Sequence, residues 1–212
     1  MGALIRLMAI SLFMFSAMPL AYAQEANLCE KEMKRAASKY KVPLGILFAV
    51  GLTETGINGN LHAYALNLEG STVYSLNKEQ AIERFHTARA AGKKLIDVGC
   101  MQLNYHYHGD RFSSVADMLD PHRNVGYAAK FLAELREREG SWTLAVARYN
   151  AGKNNNPAQK RYVCRVLDRL VKSGFGAWTP KASAFCEGEL PRRNSAPPGR
   201  AKAGENSLAQ VR

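Results

Sequence analysis

The stretch ILFAVGLTETG, residues 46–56, constrains the fold more than any other feature of this 212-residue chain. Its apolar residues fall on every face of a helix instead of one stripe, so other elements must enclose it. Pro43 opens the helix, since its missing amide is harmless in a first turn, and Gly56 stops it after Thr55. A chain of this length with 47% hydrophobic residues has core enough for one domain. Glu54 breaks the pattern. At helical spacing it stacks over Leu47, Val50 and Gly51, which points it into the protein or a cleft.

The remaining periodicity predicts mostly helix. Met33, Ala36, Ala37 and Tyr40 make one face of a first helix, closed by Val42-Pro43. Asn77 with Gln80 forms a capping arrangement for a helix through Ala91, with Ala81, Ile82, Phe85 and Ala88 inward. Asp120-Pro121 opens another through Arg138, whose stripe is Val125, Ala128, Ala129, Leu132 and Leu135. Gly140-Ser141 ends it and caps the next, which stops at Tyr149-Asn150; a last helix, from about Pro157 to Ser173, buries Tyr162, Val163, Val166 and Leu170. Alternating apolar residues around Glu69-Gly70-Ser71 predict a small hairpin, the one sheet expected. The fold class is mainly α.

Residues 1–23 carry Arg6, an apolar stretch from Leu7 to Leu20 and the small-x-small pattern Ala21-Tyr22-Ala23, the signature of a cleaved secretory leader. The apolar core is short for a membrane span, an uncleaved anchor being the alternative, and no later stretch is long enough to cross a bilayer. Cys29 lacks the small preceding residue of a lipidated cysteine. Export permits disulfides, and no CxxC or Cys/His pair has metal-ligand spacing. Cys29, Cys100, Cys164 and Cys186 allow three pairings, or four free buried thiols; Cys29 with Cys100 and Cys164 with Cys186 is the pairing expected. The formal charge of +11, about +10 without the leader, suits an acidic partner such as an anionic envelope polymer or lipid surface. Location disfavours nucleic acid. From Glu187 onward, Pro, Arg, Ala, Gly and Ser without apolar periodicity predict a disordered tail, most simply a solvated terminus, otherwise a tether to a partner or to the wall. The expected organisation is thus a leader over 1–23, a domain over 24–186 and a tail over 187–212.

Desolvation would raise the pKa of Glu54, and the negative end of its helix dipole pushes the same way. A carboxylic acid still protonated near neutrality suits general-acid cleavage of a glycosidic bond. From this segment alone, a frayed helix end reaching water is the simpler reading. Two further stretches shift that balance: DVGCMQLN at residues 97–104 and ARYNAG at 147–152. With TETG they resemble, in order and spacing, the three signature motifs of bacterial lytic transglycosylases with the soluble-transglycosylase, lysozyme-like domain, over roughly Cys29 to Val171.

The resemblance implies an α+β lysozyme-like fold with the hairpin next to a catalytic cleft, acting as a monomer on peptidoglycan in the periplasm without cofactor or metal. Glu54 matches the single catalytic acid/base. Thr55 replaces the usual serine, Met101 matches a cleft-lining methionine, with ordinary core packing as the equal alternative, Gln102 matches a glutamine holding the sugar or its acetamido group, and Tyr149 and Asn150 match the third motif. The Tyr149 hydroxyl would orient the catalytic carboxyl and contact the N-acetyl group. Cys100 replaces leucine, and Arg148 stands where the family often has a small residue, facing an anionic glycan or peptide stem. The small size resembles specialised transglycosylases that open the wall for flagella or secretion machines, with the tail as contact to such a component. The competing classes are a hydrolysing muramidase, with Asp97 as second carboxylate, and a silent glycan-binding protein. In NYHYHG, His106 and His108 are read as saccharide-groove lining and not as metal ligands, with Tyr105 and Tyr107 free to stack on sugars. No P-loop, dinucleotide fingerprint, nucleophile elbow or zinc motif is present.

Overall fold

A computed structural model describes residues 20–152 and 154–190, with side chains from Leu28 onward. The expected leader through residue 19 and the expected tail from residue 191 lie outside the described residues. The apolar run forms helix α2, Leu44–Glu54, and Gly45, Ile46, Leu47, Ala49, Val50, Gly51 and Leu52 are all buried in it. The helix is one member of a closed circuit of helices. Helix α1 (Leu20–Tyr40) packs on α6 (Pro121–Glu139), α6 on α7 (Trp142–Ala151) and α7 on α8 (Asn156–Lys172), while α2 packs against both α1 and α8. Fully burying a side chain such as Ile46 or Leu47 contributes roughly 1.5–3 kcal/mol, so this helix anchors the domain.

The expected caps hold their helices. Asn77 accepts a bond from the Gln80 amide at the start of α3 (Lys78–Ala90), Asp120 from Arg123, and Ser141 from Leu144. Gly140 ends α6 in the left-handed conformation, φ 78°, which glycine adopts without Cβ strain. Both expected disulfides form, Cys29–Cys100 and Cys164–Cys186.

The sheet is larger than the single hairpin expected. Strands β1 (Ala65–Leu68) and β2 (Ser71–Tyr74) make that hairpin, and β3 (Ile96–Val98) with β4 (Leu103–Asn104) add a second; the antiparallel order is β2-β1-β3-β4. Register pairs Asn67 with Asp97 and Asp97 with Asn104, and in the adjacent row Leu66 with Val98 and Val98 with Leu103. Because strand side chains alternate between faces, the leucine-valine row enters the core and the polar row faces outward. Helix α8 is not the last: Pro180–Phe185 form α9, and α4 (Tyr105–His108), a 3-10 turn (Gly109–Arg111) and α5 (Val115–Met118) precede α6. These pieces are too short for periodicity to reveal. The attached structure also runs past Cys186, for Glu189 pairs with Lys160 at 3.5 Å and Leu190 packs against the core. No helix among the described residues is long and apolar enough to cross a membrane.

Candidate active site

Helix α2 ends at Glu54, and the amides of Thr55 and Gly56 return to the Gly51 and Leu52 carbonyls to close it. A Cβ on Gly56 would collide with the Leu52 carbonyl, so the chain leaves the helix there only as glycine. The side chain of Glu54 opens on a cleft of about 380 Å³. The polar row Asn67, Asp97 and Asn104 lines the same cleft from the sheet, and Glu69, Gln102, Tyr107, His108, Tyr149 and Asn150 complete its polar walls.

Glu54 keeps some exposure at the cleft, yet protein surrounds it closely enough that burial dominates its ionisation. Burial raises its pKa from 4.5 to about 7; the Tyr162 hydroxyl opposes the rise, the Asp97 charge adds to it, and Arg165 opposes it. The Tyr162 hydroxyl donates to Glu54 Oε1 at 2.5 Å. Asp97, itself shifted upward by burial, accepts a bond from Asn104 Nδ2 at 2.6 Å, which counters that shift. Burial and the nearby Glu54 carboxylate push both Tyr149 and Tyr162 well above the ordinary tyrosine range, so both remain donors.

The second motif is a turn joining β3 to β4. Gly99 has φ 79°, and a Cβ there would strike the Asn124 amide group. Asn124, fully buried on α6, donates to the Val98 and Met118 carbonyls at 2.8 and 2.9 Å and accepts from the Met101 amide at 2.9 Å. Gln102, φ 43°, donates through Nε2 to the Ala65 and Gly99 carbonyls at 3.1 and 3.0 Å. Both amide hydrogens are thereby engaged, and Oε1 is the group it can offer a ligand.

Glu54, Gln102, Tyr149 and Asn150 therefore converge on one cleft, whereas Thr55 and Met101 do not. Thr55 is 1% exposed: its hydroxyl reaches the Gly51 and Cys100 carbonyls at 3.2 and 3.4 Å and accepts from the His62 amide at 3.4 Å. Met101 is fully buried beneath Gly51, so its side chain packs the core instead of lining the cleft. Tyr149 donates to the Met101 carbonyl at 2.8 Å, and the carboxyl is bound by Tyr162 in its place. Sequence reading placed Tyr162 in an apolar stripe; the signal available was its hydroxyl, which a buried tyrosine must satisfy. Arg148, expected to face an anionic ligand, is paired with Glu139 at 3.3 Å and also donates to the Gly152 carbonyl. Among the described residues no group of His, Cys, Asp or Glu is arranged to hold a metal ion.

A circuit of helices that includes a buried, acid-bearing one, with a small antiparallel sheet lining one side of the cleft, is a lysozyme-like architecture. The family model of the transglycosylase SLT domain matches residues 31–170, and the chain belongs to that family. Its general activity is accordingly that of a peptidoglycan lytic transglycosylase, a glycan-cleaving lyase. Comparison with curated proteins and with solved structures returns no significant match.

Proposed function

We propose that this chain cleaves the β-1,4 bond between MurNAc and GlcNAc with formation of 1,6-anhydroMurNAc ends, Glu54 acting first as acid and then as base. The observation carrying this reading is the place of Glu54, its pKa raised by burial to about 7, at the end of a buried helix opening on a cleft. A group poised near neutrality can serve in both roles. The Glu54 hydroxyl gives its proton to the glycosidic oxygen, the bond from that oxygen to the sugar carbon breaks, and the departing chain leaves as an alcohol. The substrate's N-acetyl oxygen stabilises the positive charge at that carbon. The Glu54 carboxylate then takes the proton of the C6 hydroxyl, whose oxygen bonds to the same carbon, and the acid is regenerated without water.

Such substrate assistance removes the need for a second carboxylate at a defined separation. Gln102 Oε1, the Tyr149 edge and Asn150 are the groups we assign to the sugar and its acetamido group, and Tyr162 to holding the carboxyl. Asp97 in the same cleft favours hydrolysis as the second reading. Its Oδ1 is held by Asn104 at 2.6 Å and is thereby engaged within the sheet, which ranks that reading lower. Mass spectrometry of peptidoglycan digested by the protein and by Glu54→Gln tests the two. Anhydro ends lost in the variant support the proposal; reducing ends refute it and return attention to Asp97.

We further assign the protein to the periplasm, opening wall locally for a flagellum or secretion machine, as a monomer. The leader-like residues 1–23 and two disulfides support the compartment. A deletion strain with intact envelope-spanning assemblies and altered wall turnover would refute the local role.

A further inference from the structure

Helix α6 carries Gly126 in mid-helix, where a glycine weakens the helix relative to alanine. No packing demands it, since a Cβ there would meet nothing within 4 Å. The space above it belongs to a groove of about 650 Å³ running along α1 and α6. Tyr107, His108 and Phe131 line both this groove and the catalytic cleft, so the two cavities share a wall.

The groove is lined by five cations, Arg35, Lys39, Arg111, Arg123 and Lys130, against two carboxylates, Glu32 and Glu134. Some of that charge is engaged internally: Arg123 bonds Asp117 at 3.0 Å, Arg35 lies 3.5 Å from Glu32 and Lys130 lies 3.7 Å from Glu134. Lys39 meets the Tyr40 ring, 5.2 Å from its centroid, and Arg111 meets the neighbouring Asp110 at 3.5 Å with both side chains mostly exposed. Lys39 and Arg111, on two different elements, are the cations least committed to the fold.

We infer that this groove receives the carboxylate-bearing peptide stem of the muramoyl sugar, so that the enzyme prefers strands still carrying stems; the inference rests on the transglycosylase reading above. The stem is attached to the sugar that Glu54 would act on, and an extended stem of four residues spans about 13 Å, enough to pass from one cavity into its neighbour. Covalent attachment supplies it at high effective concentration, an advantage that a free acidic protein segment lacks. Tyr40 and Tyr127 offer apolar surface to the stem backbone, and the cations meet its carboxylates in partly solvated pairs.

The experiment compares glycan strands of matched length, with stems and with stems removed by an amidase, using wild type, Lys39→Gln/Arg111→Gln and Gly126→Leu. Wild type should show a KM about tenfold lower on stemmed strands, the effect of a few exposed ion pairs, and the advantage should shrink at high salt. Both variants should lose most of that ratio while keeping the wild-type melting temperature or exceeding it. Leucine favours the helix at position 126, so loss of folding will not mask the result. Equal wild-type KM on both substrates, or an unchanged ratio in the variants, overturns the stem groove alone. Cleavage of neither substrate by wild type overturns the transglycosylase reading and this inference with it.

Discussion

Glu54→Gln should stabilise the protein at pH 8 and leave its stability nearly unchanged at pH 4. The sign follows from where the proton sits. The unfolded carboxylate ionises from about pH 4.5 upward, whereas the folded one keeps its proton to about 7. Native stability linked to this group is therefore fully present below the unfolded pKa and is lost as pH rises through the folded one. Glutamine imitates the protonated acid, can still accept the Tyr162 hydroxyl, and never ionises. The gap between about 7 and 4.5 gives an upper bound of about 3 kcal/mol at roughly 1.4 kcal/mol per pH unit. Partial exposure at the cleft lets water solvate the carboxylate, which reduces the expected gain to about 1–2 kcal/mol, a rise in melting temperature of roughly 2–8 °C. Urea unfolding of both proteins at pH 4 and pH 8 measures the difference of differences, in which other titrating groups cancel. A gain of equal size at both pH values, or none at pH 8, would show that desolvation is not what holds the proton on Glu54.

The rate should respond to the same electrostatics: kcat/KM should fall as pH rises through about 7, the range in which Glu54 loses its proton. Asp97→Asn should move that limb to lower pH and Tyr162→Phe to higher pH, because Asp97 raises and Tyr162 lowers the Glu54 pKa; pH–rate profiles of the pair check the opposite signs. Cys29→Ser with Cys100→Ser opens a crosslink between residues 71 apart, and chain entropy sets its cost near 4 kcal/mol, readable by denaturant titration. Gly51→Ala should cost about 1–3 kcal/mol by overpacking, since its Cβ would run into the Met33 terminal methyl and Leu61. A thermal shift below 1 °C would argue that the α1–α2 contact gives way easily.

The long helices were legible because a stripe repeated over three or more turns, as on α6, survives local exceptions, and because Asn77, Asp120 and Ser141 announce their starts. The second hairpin was not, since strands of three and two residues carry no measurable alternation. Within the site, motif membership identified Glu54, Gln102, Tyr149 and Asn150 but could not say which neighbours turn away. Thr55 lies about 100° around the helix axis from Glu54, which directs it at Cys100 and His62 and not at the cleft. Met101 precedes Gln102 in a tight turn and takes the buried side. Tyr162 and Asn124 lie outside the three motifs, and their roles depend on contacts across 108 and 23–26 residues of sequence that no local pattern encodes.

Four constraints from different parts of the chain meet on Cys100 and Met101. Cys29 holds Cys100 by the disulfide, Thr55 approaches the Cys100 carbonyl, Asn124 accepts from the Met101 amide, and Tyr149 donates to the Met101 carbonyl. Each ties a different helix to the same short turn: α1, the end of α2, α6 and α7. That turn joins the strands bearing Asp97 and Asn104 and sets Gln102 at a positive φ. Three motifs that read as a list of substrate contacts thus divide into groups that face the cleft and groups that hold it. A carboxylic acid serving alone as acid and base must meet the substrate in a fixed geometry, and with one reactive group the demand for rigidity falls on the turn opposite it. Loosening an anchor that does not line the cleft, the Cys29–Cys100 disulfide or Asn124, should therefore depress kcat measured on peptidoglycan strands, because these anchors fix where the turn sits opposite Glu54.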